Sequence, residues 1–199
     1  TATGLNFRDV MWAQGLLPED MLMDGFAGAS LGMECAGMVE EAGPGVALAP
    51  GSAVFGFAPA AFATHALTRA EALQPLPPGI SPEAAATIPV AFITAAYSLE
   101  TLARLRPGER VLIHGGAGAV GLAALQIAKA AGALVAATAG SPDKRAFLRQ
   151  LGADLVLDSR DAGFACVWGY CRRAAVCAVC AATANDDWNT LLHWLWQTW

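Results

Sequence analysis

Two periods divide the chain. Up to about residue 80, apolar residues come in short alternating runs cut by Gly and Pro; beyond it they come in longer blocks. In the first part the alternation predicts strands over Gly37–Ala42, Gly51–Gly56 and Phe62–Leu67. Turns are expected at Gly43-Pro44-Gly45 and Leu76-Pro77-Pro78-Gly79. Such spacing suits a small irregular barrel. At Ser81 the pattern becomes helical: Ser81 is placed to cap, Pro82 fits a first turn, and Glu83 faces the positive helix end. Pro89 breaks that helix, Ile93–Leu105 predicts the next, and Arg106-Pro107-Gly108-Glu109 a turn. Then follow a strand over Val111–His114, a helix over Val120–Ala131 and a strand over Leu134–Thr138. A helix opened by Ser141-Pro142 and ending near Gly152 leads to a last strand over Leu155–Leu157. This βαβαβ order implies a parallel sheet with right-handed crossovers.

Composition narrows the class. Of the 199 residues, 55% are hydrophobic and 15% charged, with a formal net charge of -5. No basic patch is present, so nucleic acid is an unsuitable partner. Thr1–Leu5 lacks the charged start and apolar core of a secretory signal, and a cytoplasmic location is expected. Val120–Ala139 is weakly polar, but Gln126, Lys129 and Gly132 interrupt it, so a buried helix and strand are expected in place of a membrane span. Cys35 stands alone, which fits a reduced compartment, while Cys166, Cys171, Cys177 and Cys180 crowd the end.

The chemistry-bearing motif is His114-Gly115-Gly116-Ala117-Gly118-Ala119-Val120-Gly121, between a predicted strand and a predicted helix. A backbone that must approach a pyrophosphate closely excludes side chains, and the following helix aims N–H groups and a positive dipole end at the phosphates. Gly121 would let the helix lie close to the first strand. A tight packing turn without a ligand is the alternative. An NAD site usually carries an acid at the end of the second strand; here Thr138-Ala139-Gly140-Ser141 has none, and Lys144-Arg145 follow. Hydroxyl and cationic donors there suit a 2′-phosphate, so the expected cofactor is NADPH, bound through Gly115–Gly121, Gly140, Ser141, Lys144 and Arg145. The competing reading of Lys144 and Arg145 is a solvated helix face.

Asn6-Phe7-Arg8-Asp9-Val10, Leu31–Gly37, Pro89–Tyr97 and the glycine turn together resemble the enoyl reductase domains of modular polyketide synthases. These belong to the quinone-reductase-like, zinc-free branch of the medium-chain dehydrogenase/reductase superfamily. The likeness runs from about Leu5 to Ala165. It implies an α/β protein: a partial GroES-like β-barrel over 1–97, then the first half of a Rossmann domain over 98–165. It implies NADPH-dependent reduction of an α,β-unsaturated thioester carried on an acyl carrier protein, beside other synthase domains. Asn6 matches a residue lining the nicotinamide pocket, or it fixes a turn. Thr94 matches a cofactor-contacting Thr, or it bonds its own helix backbone. Lys144 matches a lysine proposed as a proton donor, in competition with the phosphate role. Leu17 stands where many such domains carry a Tyr proposed to protonate the α-carbon, and a leucine cannot transfer a proton. Met33 stands where zinc-dependent relatives place His, and a thioether is a poor zinc ligand, so no metal is expected. His65 and His114 read as structural. A free-standing NADPH:quinone oxidoreductase and a catalytically inactive fragment are the alternatives.

Residues 166–199 break with this pattern. They hold four of the five Cys and five of the six Trp. The expected strands and return helix of the family do not follow, the family's first strands are missing too, and the chain alone is expected not to turn over. An out-of-frame reading of GC-rich coding DNA would yield such a stretch. A zinc knuckle is the competitor, but only Cys177-Ala178-Val179-Cys180 has ligand spacing and His193 has no second His to complete the site. Trp188–Trp199 could form a short apolar helix.

Overall fold

A computed structural model describes residues 1–23 and 25–161; the expectations for 166–199, the zinc knuckle and the apolar helix among them, lie outside the described residues. The chain divides into two units, Thr1–Val90 and Ala91 onward.

The first unit is built on a four-stranded antiparallel sheet in the order β1-β2-β3-β4. Its strands are β1 (Ala2–Thr3), β2 (Glu34–Met38), β3 (Ala53–Phe57) and β4 (Leu73–Pro75). Between β1 and β2 run the short helices α1 (Phe7–Ala13) and α2 (Asp20–Met23); α3 (Pro82–Ala85) follows β4. The core is small: Ala36, Ala85 and Ala86 are buried, with Ala2, Phe55, Leu76 and Ile80 packed on them. Ser81 caps α3 as expected, its hydroxyl accepting from the Ala84 N–H at 3.2 Å.

Three expectations shift here. The strand expected over Gly37–Ala42 lies earlier, because Glu34 enters the sheet buried and a buried charge breaks the alternation that marks a strand. Phe62–Leu67 is not a strand: Phe62 N–H bonds Leu31 O at 3.4 Å, so that segment folds back on the loop before β2, and Leu73–Pro75 pairs with β3 instead. Helix α1 stands where only strands and turns were expected. Its start is marked by a capping box: the Asp9 carboxylate accepts from the Asn6 backbone N–H at 3.1 Å, and the Asn6 side chain accepts from the Asp9 backbone N–H.

The second unit follows its predicted order closely. It comprises β5 (Arg110–Ile113), α5 (Ala119–Ala130), β6 (Leu134–Ala139), α6 (Pro142–Gln150) and β7 (Leu155–Asp158), and the three strands are parallel in the order β5-β6-β7. Ile113, Ala123, Ala124, Leu125, Val135, Ala137 and Leu148 form its core. The expected helix over Ile93–Leu105 begins sooner, as α4 (Pro89–Ala96), and continues as a π-helix over Tyr97–Leu102. Ala91, Ala95 and Leu99 bury in the same core as β5 and α5, which is why the second unit starts at Ala91 and not at residue 98. The helical run Pro82–Leu102 is long and apolar enough to cross a membrane, with 21 residues and a mean hydropathy of 1.3. Six of its residues, Ala85, Ala86, Pro89, Ala91, Ala95 and Leu99, are buried.

Candidate functional site

In the second unit the glycine turn joins β5 to α5. Gly115 takes a left-handed φ of 61° that a side chain would strain. Its N–H donates to Thr138 Oγ1 at 3.2 Å, and the Gly116 N–H donates to Thr138 O at 2.9 Å. Thr138 is fully buried, so its hydroxyl serves as a latch from β6 to the turn. Sequence reasoning passed over it; a lone Thr in the alanine-rich strand Leu134–Ala139 is the signal that could have found it.

Each glycine has its own reason. A Cβ on Gly116 would stand 2.9 Å from Ala137 Cβ and 3.3 Å from Leu148 Cδ1. A Cβ on Gly121 would stand 2.5 Å from Gly115 O and 2.7 Å from Gly116 Cα. Gly121 therefore lets the first turn of α5 close onto the glycine turn itself, where contact with the first strand was expected. Gly118 is the N-cap, in extended backbone, and Ala119 and Val120 begin the helix. Ala117 is half-buried. The first-turn N–H groups have no partner further back in the helix, which leaves donors and a positive dipole end facing the turn. A cradle that backbone alone fills, with donors aimed into it, fits a pyrophosphate. The His114 imidazole, half-buried at the end of β5, has its pKa pushed down by burial and stands 3.4 Å from Thr138 Oγ1.

The second part of the site lies where β6 ends. Ser141 caps α6, accepting from the Lys144 N–H at 3.3 Å; this sets Lys144 in the first helical turn with its side chain exposed. Arg145 is engaged differently from the expectation. Its Nη1 donates to Ala139 O at 3.0 Å and pairs with Asp158 Oδ2 at 2.8 Å. Asp158 reaches this place because it stands opposite Ala139 in the β6–β7 register. An acid therefore does border the end of the second strand, supplied by the third, and Arg145 balances its charge. Arg160 and Ser159 also arrive here: the place a Gly140 Cβ would take lies 3.4 Å from Arg160 Nε and 3.4 Å from Ser159 Oγ. Neither was expected. Their signal was positional, since they follow the third parallel strand as Ser141 follows the second.

In the first unit Asn6 sits at the head of α1 and its Nδ2 donates to Glu34 Oε1 at 2.8 Å. Glu34 Oε2 accepts from the Val90 N–H at 2.8 Å. Burial raises the Glu34 carboxyl pKa; the Val90 N–H and the Asn6 amide oppose that shift, and Asp9 adds to it. Asp9, also buried, accepts from the Gly32 N–H at 2.9 Å. Arg8 donates to Ser30 O at 2.7 Å and to Gly28 O. The Arg8-Asp9 pair thus stitches α1 to the loop before β2. Leu17 is buried, and Thr94 sits half-buried on α4, its carbonyl accepting from Ser98 Oγ at 2.8 Å. Among the described residues no three His, Cys, Asp or Glu side chains converge as a metal site. His65 is exposed and pairs with Glu40 at 2.7 Å.

A family model described as zinc-binding dehydrogenase matches residues 119–195. Erythronolide synthase EryA2 of Saccharopolyspora erythraea is 47% identical over 167 residues, covering 82% of this chain and 4% of that protein. Among solved structures, CurK enoyl reductase superposes with a TM-score of 0.72 at 42% identity, over 82% of this chain and 51% of that one. The quinone oxidoreductase from Coxiella burnetii gives 0.73 at 29%, over 83% and 53%. Mycobacterial Rv1454c, complexed with NADPH, gives 0.69 at 32%, over 82% and 50%. The chain thus spans about half the length of these solved relatives. The antiparallel sheet followed by a parallel βαβαβ unit, the glycine cradle and these likenesses agree: the chain belongs to the medium-chain dehydrogenase/reductase superfamily, among the enoyl reductase domains of modular polyketide synthases and their quinone oxidoreductase kin.

Proposed function

We propose that the chain serves an NADPH-dependent enoyl reductase that reduces an α,β-unsaturated acyl thioester on an acyl carrier protein, next to other polyketide synthase domains. The observation that carries the cofactor reading is the pairing of a glycine-rich turn at Gly115–Gly121 with hydroxyl and cationic groups where β6 ends. Backbone N–H groups of the cradle would hold the pyrophosphate. Ser141, Lys144 and Arg160 would hold a 2′-phosphate, while Arg145 neutralises Asp158, which would otherwise repel that phosphate. Bound NADPH supplies a hydride for the β-carbon of the enoyl group. The place of Lys144 in the first turn of α6 supports the phosphate role over proton donation. Asn6 and Thr94 are assigned to the nicotinamide end.

Binding is the first test, by calorimetry on the 199-residue chain. NADPH should bind more tightly than NADH. Lys144→Ala and Arg160→Ala should each weaken NADPH by about 10-fold or more, from a lost charge-assisted bond of roughly 1.5–3 kcal/mol, and leave NADH unchanged. Equal affinity for the two cofactors would remove the assignment. Turnover is measured on the complete polypeptide that carries these residues, with a crotonyl thioester and a quinone offered separately. Reduction of the quinone alone would favour the quinone oxidoreductase reading.

A further inference from the structure

Asp158 ends β7 opposite Ala139, the last residue of β6, so strand register delivers a carboxylate to the place where β6 ends. Both of its oxygens are engaged: Oδ1 accepts from the Arg160 backbone N–H at 2.9 Å, and Oδ2 pairs with Arg145 Nη1 at 2.8 Å. Arg145 is fixed in turn, the same Nη1 donating to Ala139 O at 3.0 Å. Its side chain is 18% exposed and that of Asp158 36%, so water screens the pair only in part. The other groups here are hydroxyls and cations: Ser141, Lys144, Ser159 and Arg160, the last two bordering Gly140. A carboxylate at the end of the second strand is what an unphosphorylated ribose calls for, because it accepts from the ribose hydroxyls; beside a 2′-phosphate it would oppose like charges. The chain therefore carries the acid of the opposite specificity, and covers it. We propose that Arg145 is a specificity-determining residue that acts through Asp158: by holding that carboxylate in an ion pair it masks a latent site for unphosphorylated ribose and leaves the place to the 2′-phosphate. This rests on the reading of Ser141, Lys144 and Arg160 as phosphate ligands, and every group involved belongs to the second unit.

A residue that masks an acid and one that binds the phosphate itself respond differently to substitution. Arg145→Met keeps an unbranched apolar stem and removes the charge and its donors. The measurements are the affinities of NADPH and NADH by calorimetry, with thermal unfolding, on the full chain. R145M should lose about 10-fold or more in NADPH affinity, because Asp158 now opposes the phosphate, and should bind NADH no more weakly than before. R145M/D158N should recover the NADPH affinity: the repulsion is gone although the guanidinium is not restored, and the introduced amide keeps an oxygen for the Arg160 N–H. Asp158→Asn alone should bind NADPH at least as tightly as the unsubstituted chain, and it tests the same point should R145M fail to fold. A loss that persists in the double variant, or weaker NADPH binding by D158N, would make Arg145 a phosphate ligand oriented by Asp158 and overturn the proposal. An unchanged preference in R145M, or an equal loss for both cofactors, would overturn it as well. Equal affinity of the unsubstituted chain for NADPH and NADH would instead overturn the phosphate reading beneath it.

Discussion

At the scale of single residues, Gly121 decides whether α5 can close onto the glycine turn. Its missing Cβ is the space that Gly115 O and Gly116 Cα occupy, and both are backbone atoms that cannot rotate aside. Gly121→Ala should therefore push α5 off the turn. The expected cost is about 1–3 kcal/mol of stability, as for overpacking a filled core, with loss of NADPH binding. Gly43→Ala is the control, since nothing lies within 4 Å of the added atom. Thermal unfolding and a cofactor titration check both; a Gly121→Ala chain that melts and binds as before would show that the helix can shift without cost. The pattern of small residues in His114–Gly121 announces the cradle, but which glycine excludes what is a matter of neighbours brought from β6 and α6. Asn6 shows the reverse. A residue matched for its cofactor role turns out to be held by a buried acid that no local pattern connects to it.

At the scale of elements, the parallel unit is held by a polar clamp as well as its apolar core. Asp154, in the loop between α6 and β7, accepts from the Val135 N–H of β6 at 2.7 Å and pairs with Lys129 of α5 at 2.9 Å. The bond from the Val135 N–H, then that from Lys129, holds its carboxyl below its ordinary pKa of 3.8. A carboxyl whose folded-state pKa is depressed stabilises the fold fully above its unfolded value and loses that contribution as the pH falls through the folded one. Asp154→Asn should destabilise at neutral pH by on the order of 1 kcal/mol, mostly through the backbone bond, since the partly exposed ion pair adds little. The two proteins should converge in strong acid. Urea unfolding at a series of pH values measures this, and a pH-independent difference would locate the effect elsewhere. The elements of this unit were legible because long apolar blocks and the cap Ser141 are local signals. Those of the first unit were not. α1 is short, its Phe7 and Val10 are exposed, and β4 was chosen over Phe62–Leu67 by partners distant in sequence.

At the scale of the whole molecule, the expected metal content follows from the donors. By the family resemblance Met33 stands where zinc-dependent relatives place His, and no three potential ligands gather among the described residues. Elemental analysis of the purified chain should find no stoichiometric zinc; one equivalent would overturn the reading of Met33 or of the cysteines at 166–180. Local order along the chain was enough to determine the βαβαβ unit and its glycine turn, because hydrophobic period, capping and glycine spacing act over a few residues and survive in any context that buries them, while the family was legible only as a resemblance of the stretches Asn6–Val10, Leu31–Gly37 and Pro89–Tyr97. Tertiary structure alone decided the rest. It brought Asp158, Ser159 and Arg160 to the end of β6 through strand register, paired Arg145 with Asp158, and placed Glu34 against Asn6 across 28 residues of chain. The physical reason is that contacts between strands depend on register, which no local pattern records, and that a buried charge such as Glu34 is costly until a partner brought from elsewhere in the chain relieves it.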